Sequence, residues 1–330
     1  MNPFEYARPE SEAEAVALLA GEGTTVLASG MDLMPLLQKS VVATSRVVDI
    51  SRVDSMRGID PVNGGVTIGV LSTLEDIAYS PLLTEYPSLK DVTEGIRAIQ
   101  VQQNGTLGGD LCHLPNCWYF RSGYGLLGRD NGKSLPEIGD NRYHAIFGNS
   151  GPAKFVSASR FAPALIAWGA QVRITGPEPN AEKWLPLEQF YHTPKTDRQG
   201  VTVLEPGQLL THVWLPPAEL QVSATYEVLE MKGLDWPLAS AAATLDLDDA
   251  GRVRKATIVL GHVAPTPWLS LSAADVLVGQ PVTPQLAHAA GEAAVAEATP
   301  LSENAYKVRL AQTSVKRALL KATNQLEGGL

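Results

Sequence analysis

At 330 residues and 45% hydrophobic composition, the chain can bury the cores of two or three domains. Its 26 lysines and arginines against 35 aspartates and glutamates leave a net charge of −9, which argues against nucleic acid or an anionic membrane surface as principal partner. No apolar run reaches the roughly 18 residues of a membrane span, and Met1-Asn2-Pro3-Phe4-Glu5 lacks the basic and apolar segments of a secretory leader, so a cytoplasmic protein is expected.

Taken in chain order, Ser11 caps a helix over 11–21 with apolar positions at Ala15, Val16, Leu18 and Leu19. Strands near 24–28 and 45–50 flank a helix near 32–39, giving a small N-terminal α/β lobe over 1–60. A second lobe over 61–220 opens with Gly64-Gly65 and the strand Val66 to Ile68. Its helices are expected at 73–79, 87–98 and 160–168, and its strands at 170–175 and 209–215. A stretch at about 111–152, rich in Gly, Asn and Arg, reads as mostly loop. Pro206-Gly207 and Pro216-Pro217 mark the hinge into a C-terminal α+β domain over 221–330. There, β segments at 223–231, 237–247 and 253–262, the last two joined by the hairpin turn Asp248-Asp249-Ala250-Gly251, precede helices at 270–278, 284–297 and 305–324.

Two small-residue turns stand out. The first is Val26-Leu27-Ala28-Ser29-Gly30-Met31-Asp32-Leu33, between a β-like run and a helix-like run. The second is Gln103-Asn104-Gly105-Thr106-Leu107-Gly108-Gly109-Asp110-Leu111. Glycine removes the Cβ and tolerates positive φ, so backbone amides in such turns approach a phosphate closely. Two of them suit one diphosphate. Asp32 opposes that reading unless its oxygens cap the following helix instead. The spacing is not G-x-G-x-x-G, so a Rossmann dinucleotide fingerprint is not supported.

The strand, the A-G-G-T-D-L-like turn, the helix and a T-(I/V)-G-G-N turn some way downstream resemble the FAD-binding subunits of the molybdenum hydroxylases. The resemblance extends through Phe4-Glu5-Tyr6-Ala7-Arg8-Pro9, Val47-Val48-Asp49-Ile50 and Gly65-Val66-Thr67-Ile68-Gly69. It continues through Ala162-Pro163-Ala164-Leu165 and Tyr226 to Asp235-Trp236-Pro237. It implies an α+β fold: a two-lobed FAD-binding domain of the vanillyl-alcohol-oxidase/PCMH type, then an α+β C-terminal domain of the CO dehydrogenase flavoprotein type.

It also implies FAD as cofactor, held at Val26, Leu27, Ala28, Ser29, Gly30, Met31, Asp32 and Leu33 on one side and at Thr106, Gly108, Gly109 and Asp110 on the other. Thr106 is expected to offer its hydroxyl to a phosphate, and Gly108, Gly109 and Asp110 their amides. Arg160 stands where the family's S-D-x-x-P-A pattern carries a flavin-contacting aspartate. Glu227 stands near the place of a flavin-contacting lysine, for which Lys232 is the compensating candidate. No residue is expected to be a catalytic acid or base. The implied partners are a large molybdenum-cofactor subunit, a small [2Fe–2S] subunit and an electron acceptor such as NAD or oxygen. Electrons pass from the iron–sulfur centres through FAD to that acceptor. The alternatives are a flavin-free scaffold subunit of such a complex and a stand-alone flavin oxidoreductase.

Cys112 and Cys117 are the only cysteines. In some relatives the equivalent insertion binds a [4Fe–4S] cluster through four cysteines; two do not suffice. The expectation is an insertion without a cluster and no metal site, with a Cys2His2 zinc site through His113 and His144 as a minor alternative.

Overall fold

The computed structural model describes residues 1–178, 181–231 and 235–326. Glu5–Ala7, Thr24–Leu27 and Arg46–Asp49 form a parallel three-stranded sheet with Arg46–Asp49 at its centre. Val47 and Val48 point to opposite faces and are both buried, as a parallel strand covered on two sides requires. The helix Glu12–Leu19 makes the first crossover. Ser11 accepts its Glu14 amide, and Ala15, Val16 and Leu19 supply the buried stripe. The helix Leu33–Gln38 makes the second.

The second sheet is antiparallel, in the order Ile59–Val62, Gly65–Gly69, Leu209–Leu215, Gln171–Thr175, Glu182–Pro186. Sequence patterning missed both edge strands. Each contains a proline, and each is largely exposed on both faces, so neither shows the period-two apolar signal. The two lobes share one core, in which Val48 and Ile50 join Ile68, Leu71, Phe161 and Leu210.

The C-terminal sheet runs Val222–Val228, Ala239–Leu247, Val253–Gly261, Trp268–Leu269, all antiparallel, beside helices Leu271–Leu277, Pro284–Ala294 and Tyr306–Ala322. Alternation along Ala239–Leu247 divides its side chains between two cores. Ala239, Ala241, Ala243 and Leu245 join the C-terminal core, while Ala242 joins the core of the N-terminal lobes. On that second face the helix Phe161–Ala167 approaches so closely that a Cβ on Gly261 would lie 2.8 Å from Pro163 Cγ.

The insertion is more structured than a loop. It contains helices Trp118–Arg121 and Leu135–Ile138 and the hairpin Arg129–Asp130 with Lys133–Ser134. These segments are four residues or shorter, below the length at which periodicity is readable. Its downstream end enters the C-terminal core through Ile146 and Phe147. Lys307, 1% exposed, fastens that end by donating to the carbonyls of Tyr143 (3.2 Å), His144 (3.2 Å) and His262 (2.8 Å). Among the described residues no helix is long and apolar enough to cross a membrane.

Candidate cofactor-binding site

A cavity of about 550 Å³ lies between the two N-terminal lobes, and both small-residue turns line it. Val26, Ala28, Ser29, Gly30, Met31, Asp32 and Leu33 form one wall; Thr106, Gly108, Gly109, Asp110 and Arg160 belong to the other. Leu27 is outside the wall. Its Cδ1 stands 3.3 Å from where a Cβ on Gly30 would lie. Lys232 lies outside the described residues.

The first turn has the conformation the sequence requires of it. Gly30 has φ +81°, and a Cβ there would come within 2.9 Å of Met34 Cγ. Ser29, standing at a family glycine position, is not among the positive-φ residues and needs no glycine. The amides of Ser29, Gly30, Met31 and Asp32 donate to no protein acceptor among the described residues, leaving four donors at the cavity wall. Asp32 does not cap the helix after it. Its Oδ2 instead accepts the Leu114 amide at 3.0 Å, and its Oδ1 pairs with Arg121 Nη1 at 2.7 Å. Arg121 thereby neutralises the carboxylate that would otherwise repel an anion beside the turn.

The second segment differs from the expected open turn. Thr106 caps a short helix, Leu107–Leu111, and neither Gly108 nor Gly109 has positive φ. All three amides expected to face a phosphate are engaged internally. Gly108 donates to Val70 O at 2.8 Å, Gly109 to Thr106 Oγ1 at 3.1 Å, and Asp110 to Thr106 O at 3.0 Å. Gly108 is required by packing, since a Cβ there would sit 2.8 Å from Val70 Cβ. The Thr106 hydroxyl accepts from Gly109, but its own proton donates to no acceptor among the described residues, so it remains the donor this segment offers.

Asp110 has a structural role that the motif does not reveal. Its buried carboxylate accepts the Ser159 hydroxyl and, at 3.1 Å each, the amides of Arg160 and Phe161, and so caps the helix Phe161–Ala167. Burial pushes its pKa up, while these hydrogen bonds oppose the shift.

Residues 2–218 match the model of the FAD binding domain in molybdopterin dehydrogenase, and residues 224–322 that of the CO dehydrogenase flavoprotein C-terminal domain. The chain belongs to the FAD-binding family of the molybdopterin dehydrogenases. The carbon monoxide dehydrogenase medium chain of Hydrogenophaga pseudoflava is 28% identical over 324 residues, covering 96% of each chain. The aldehyde oxidoreductase FAD-binding subunit PaoB of Escherichia coli is 28% identical over 338 residues, covering 98% of this chain and all of that one. A solved structure of the Hydrogenophaga pseudoflava carbon monoxide dehydrogenase superposes with a TM-score of 0.76 at 26% identity, covering 98% of this chain and 99% of that chain.

The residues of this flavoprotein fit FAD. The four unpartnered amides and the Thr106 hydroxyl suit a diphosphate. Val26, Leu36, Val70, Leu74, Ile96 and Val101 supply apolar wall for the ring systems, and the volume is that of an ordinary small-molecule site.

Two of the departures from the family pattern, Arg160 and Glu227, form one feature. Arg160 Nε donates to Glu227 Oε1 at 2.8 Å and Nη2 donates to Oε2, with both side chains buried. Burial pushes the Glu227 carboxyl above the ordinary carboxylate range, and Arg160 pulls the other way. The two residues are 67 positions apart in the chain, so no local pattern pairs them.

The cysteines and histidines of the insertion do not converge. Cys112 lines the flavin cavity, His113 stands 3.6 Å from Asp32, and Cys117 Sγ meets His144 Nε2 at 3.2 Å. Burial pushes the Cys112 thiol up to about 12 and raises that of Cys117, so neither is a ready thiolate. Among the described residues no three His, Cys, Asp or Glu side chains are grouped to hold a metal.

Cavity residues the sequence did not point to include His113, Leu204, Gln208 and Trp236. They come from three separate loops, Leu204 and Gln208 sharing one, and carry no shared motif. The aromatic run of the insertion turns inward: Phe120 is buried, and Trp118 packs on Tyr119, Tyr143 and His144.

Proposed function

We propose that this chain is the electron-transfer subunit of a molybdenum-containing hydroxylase or dehydrogenase complex. Electrons arrive from [2Fe–2S] centres of a partner subunit and leave through FAD to an external acceptor such as NAD or oxygen. The observation that carries this reading is the row of unpartnered amides from Ser29 to Asp32 on a cavity shared by both lobes. Bound FAD supplies the redox chemistry.

The chain's own residues bind and orient. The amides of Ser29, Gly30, Met31 and Asp32 hold the diphosphate, with Ala28, Leu33 and Val26 forming the turn's flanks. Thr106 donates its hydroxyl from the opposite wall. Gly108, Gly109 and Asp110 fix that wall in place, and the Asp110 carboxylate couples it to the helix that carries Arg160. Residues 1–60 and 61–220 act as the two lobes of the flavin domain, and 221–330 as the C-terminal domain that closes on them.

Co-expression with the large and small subunits tests the proposal. The purified complex should contain about one FAD per copy of this chain, and substrate oxidised at the large subunit should bleach it. A chain that holds no flavin in the assembled complex would support the scaffold alternative. Substrate turnover by the isolated flavoprotein would support the stand-alone one.

A further inference from the structure

We propose that Arg160, backed by Glu227, tunes the reduction potential of the bound flavin by presenting a guanidinium N–H to an uncharged acceptor on the edge of its ring system. This rests on the FAD-binding reading above. The Arg160 side chain is 8% exposed and that of Glu227 6%. Nε and Nη2 are both spent on the Glu227 carboxylate, while Nη1 donates to no acceptor among the described residues. Guanidinium carries five N–H donors and cannot lose its proton, so Nη1, unpartnered and still accessible on a residue that lines the cavity, is free to donate to a group bound there.

The pair is oriented as well as buried. Arg160 lines the cavity and Glu227 does not, so the positive end of the ion pair faces the cofactor site. Its position is held from three sides. The Arg160 amide donates to Asp110 Oδ2 at 3.1 Å. Glu227 is on the strand Val222–Val228 of the C-terminal sheet. At Gly95 an added Cβ would lie 2.5 Å from Glu227 Oε2 and 2.7 Å from Arg160 Nη2, so the helix Pro87–Gly95 closes directly over the pair.

Charge compensation identifies the acceptor. An arginine serving a diphosphate gains from an uncompensated positive charge, and a carboxylate immediately behind it works against the phosphates. A compensated arginine with one free donor edge suits a neutral carbonyl or ring nitrogen. Two-electron reduction with uptake of one proton leaves a flavin ring one negative charge richer. A cation facing it from a low-dielectric wall stabilises that reduced state and raises its potential.

The test is the midpoint potential of the FAD-loaded protein, with the visible flavin spectrum and FAD affinity measured alongside. Arg160→Gln removes the charge and should lower the potential by about 30 mV or more, a tenfold change in the equilibrium constant of a two-electron couple. Glu227→Gln removes the compensating charge and should raise it. Arg160→Lys, which keeps the charge, should stay closer to the parent value than Arg160→Gln does and covers the case in which that variant loses its flavin. Opposite signs for the two neutral variants are the supporting result, because a purely structural ion pair gives no reason for them. Shifts of the same sign, or unchanged potentials, overturn the proposal. Weaker FAD binding with an unchanged potential also overturns it, by assigning Arg160 to the diphosphate. An unsubstituted protein without FAD in its assembled complex would instead defeat the reading on which the proposal stands.

Discussion

Arg121 Nη1 lies 2.7 Å from Asp32 Oδ1, so the insertion holds the first glycine turn by an ion pair. The adjoining Leu114 amide donates to the other carboxylate oxygen at 3.0 Å. A segment that sequence marks as an appendage is therefore a structural support of the cofactor site. Arg121→Ala should leave Asp32 uncompensated beside the diphosphate and lower FAD affinity about tenfold. The associated stability loss is about 1.5–3 kcal/mol, the range for hydrogen bonds to charged groups. Fluorescence titration of the apoprotein with FAD checks the first figure and thermal unfolding the second; an unchanged affinity would remove the insertion from the site.

Gly30→Ala tests the first turn itself. At φ +81° an alanine costs about 1–2 kcal/mol of backbone strain and would also press on Met34. The strain displaces the unpartnered amides, so flavin content per chain should fall while the C-terminal domain keeps its structure. Retention of a full complement of FAD would show that the turn does not bind the cofactor.

The two glycines of the second segment should behave differently. Gly108→Ala drives a methyl into Val70 and should cost about 1–3 kcal/mol through overpacking, whether or not FAD is present. At Gly109 the nearest atom to an added Cβ is Thr106 Oγ1, at 3.0 Å. Gly109→Ala should therefore perturb the Thr106 hydroxyl and weaken FAD binding more than it affects apoprotein stability. Equal loss of apoprotein stability in both variants would contradict this division.

Burial makes the site's surroundings acid-sensitive. The pKa of His144 is lowered to about 4 by desolvation and by the neighbouring Lys307, against an ordinary value near 6.5. The unfolded chain therefore binds more protons than the folded one between these values, and stability falls as pH drops through that window. The loss is on the order of 3 kcal/mol for a shift of this size. Lys307, lowered to about 7 by burial, adds a slope of the same sign at higher pH, with stability rising from near pH 7 toward 10.5. Asp110 and Glu227, whose pKa values burial raises, contribute slope of the opposite sign, so the His144 share is read by difference: His144→Gln should flatten the rise in unfolding midpoint between pH 4 and 6.5. A profile unchanged by that substitution would refute the assignment.

Much of the architecture was readable from local pattern. The helix Glu12–Leu19 follows from Ser11 and the Ala15, Val16, Leu19 stripe, and the hairpin between Ala239–Leu247 and Val253–Gly261 from an acidic turn ending in Gly251. These signals are local because capping and face periodicity act within a few residues. The edge strands Ile59–Val62 and Glu182–Pro186 were not readable, since pairing alone defines them and their side chains remain in water. The small helices of the insertion are likewise held by contacts from distant residues.

The sequence by itself determined the family, the α+β architecture and the two segments that meet at the cavity, because small residues and their spacing are recorded directly in the chain. Only the tertiary structure decided what each site residue does there. It engaged the amides of Gly108, Gly109 and Asp110 internally, turned the Asp110 carboxylate into a helix cap and set Asp32 against Arg121. It also joined Arg160 to Glu227. Hydrogen bonds and ion pairs of this kind form between groups far apart in the chain. Their partners are selected by which surfaces the folded cores bring within about 3 Å, a distance that no local pattern encodes.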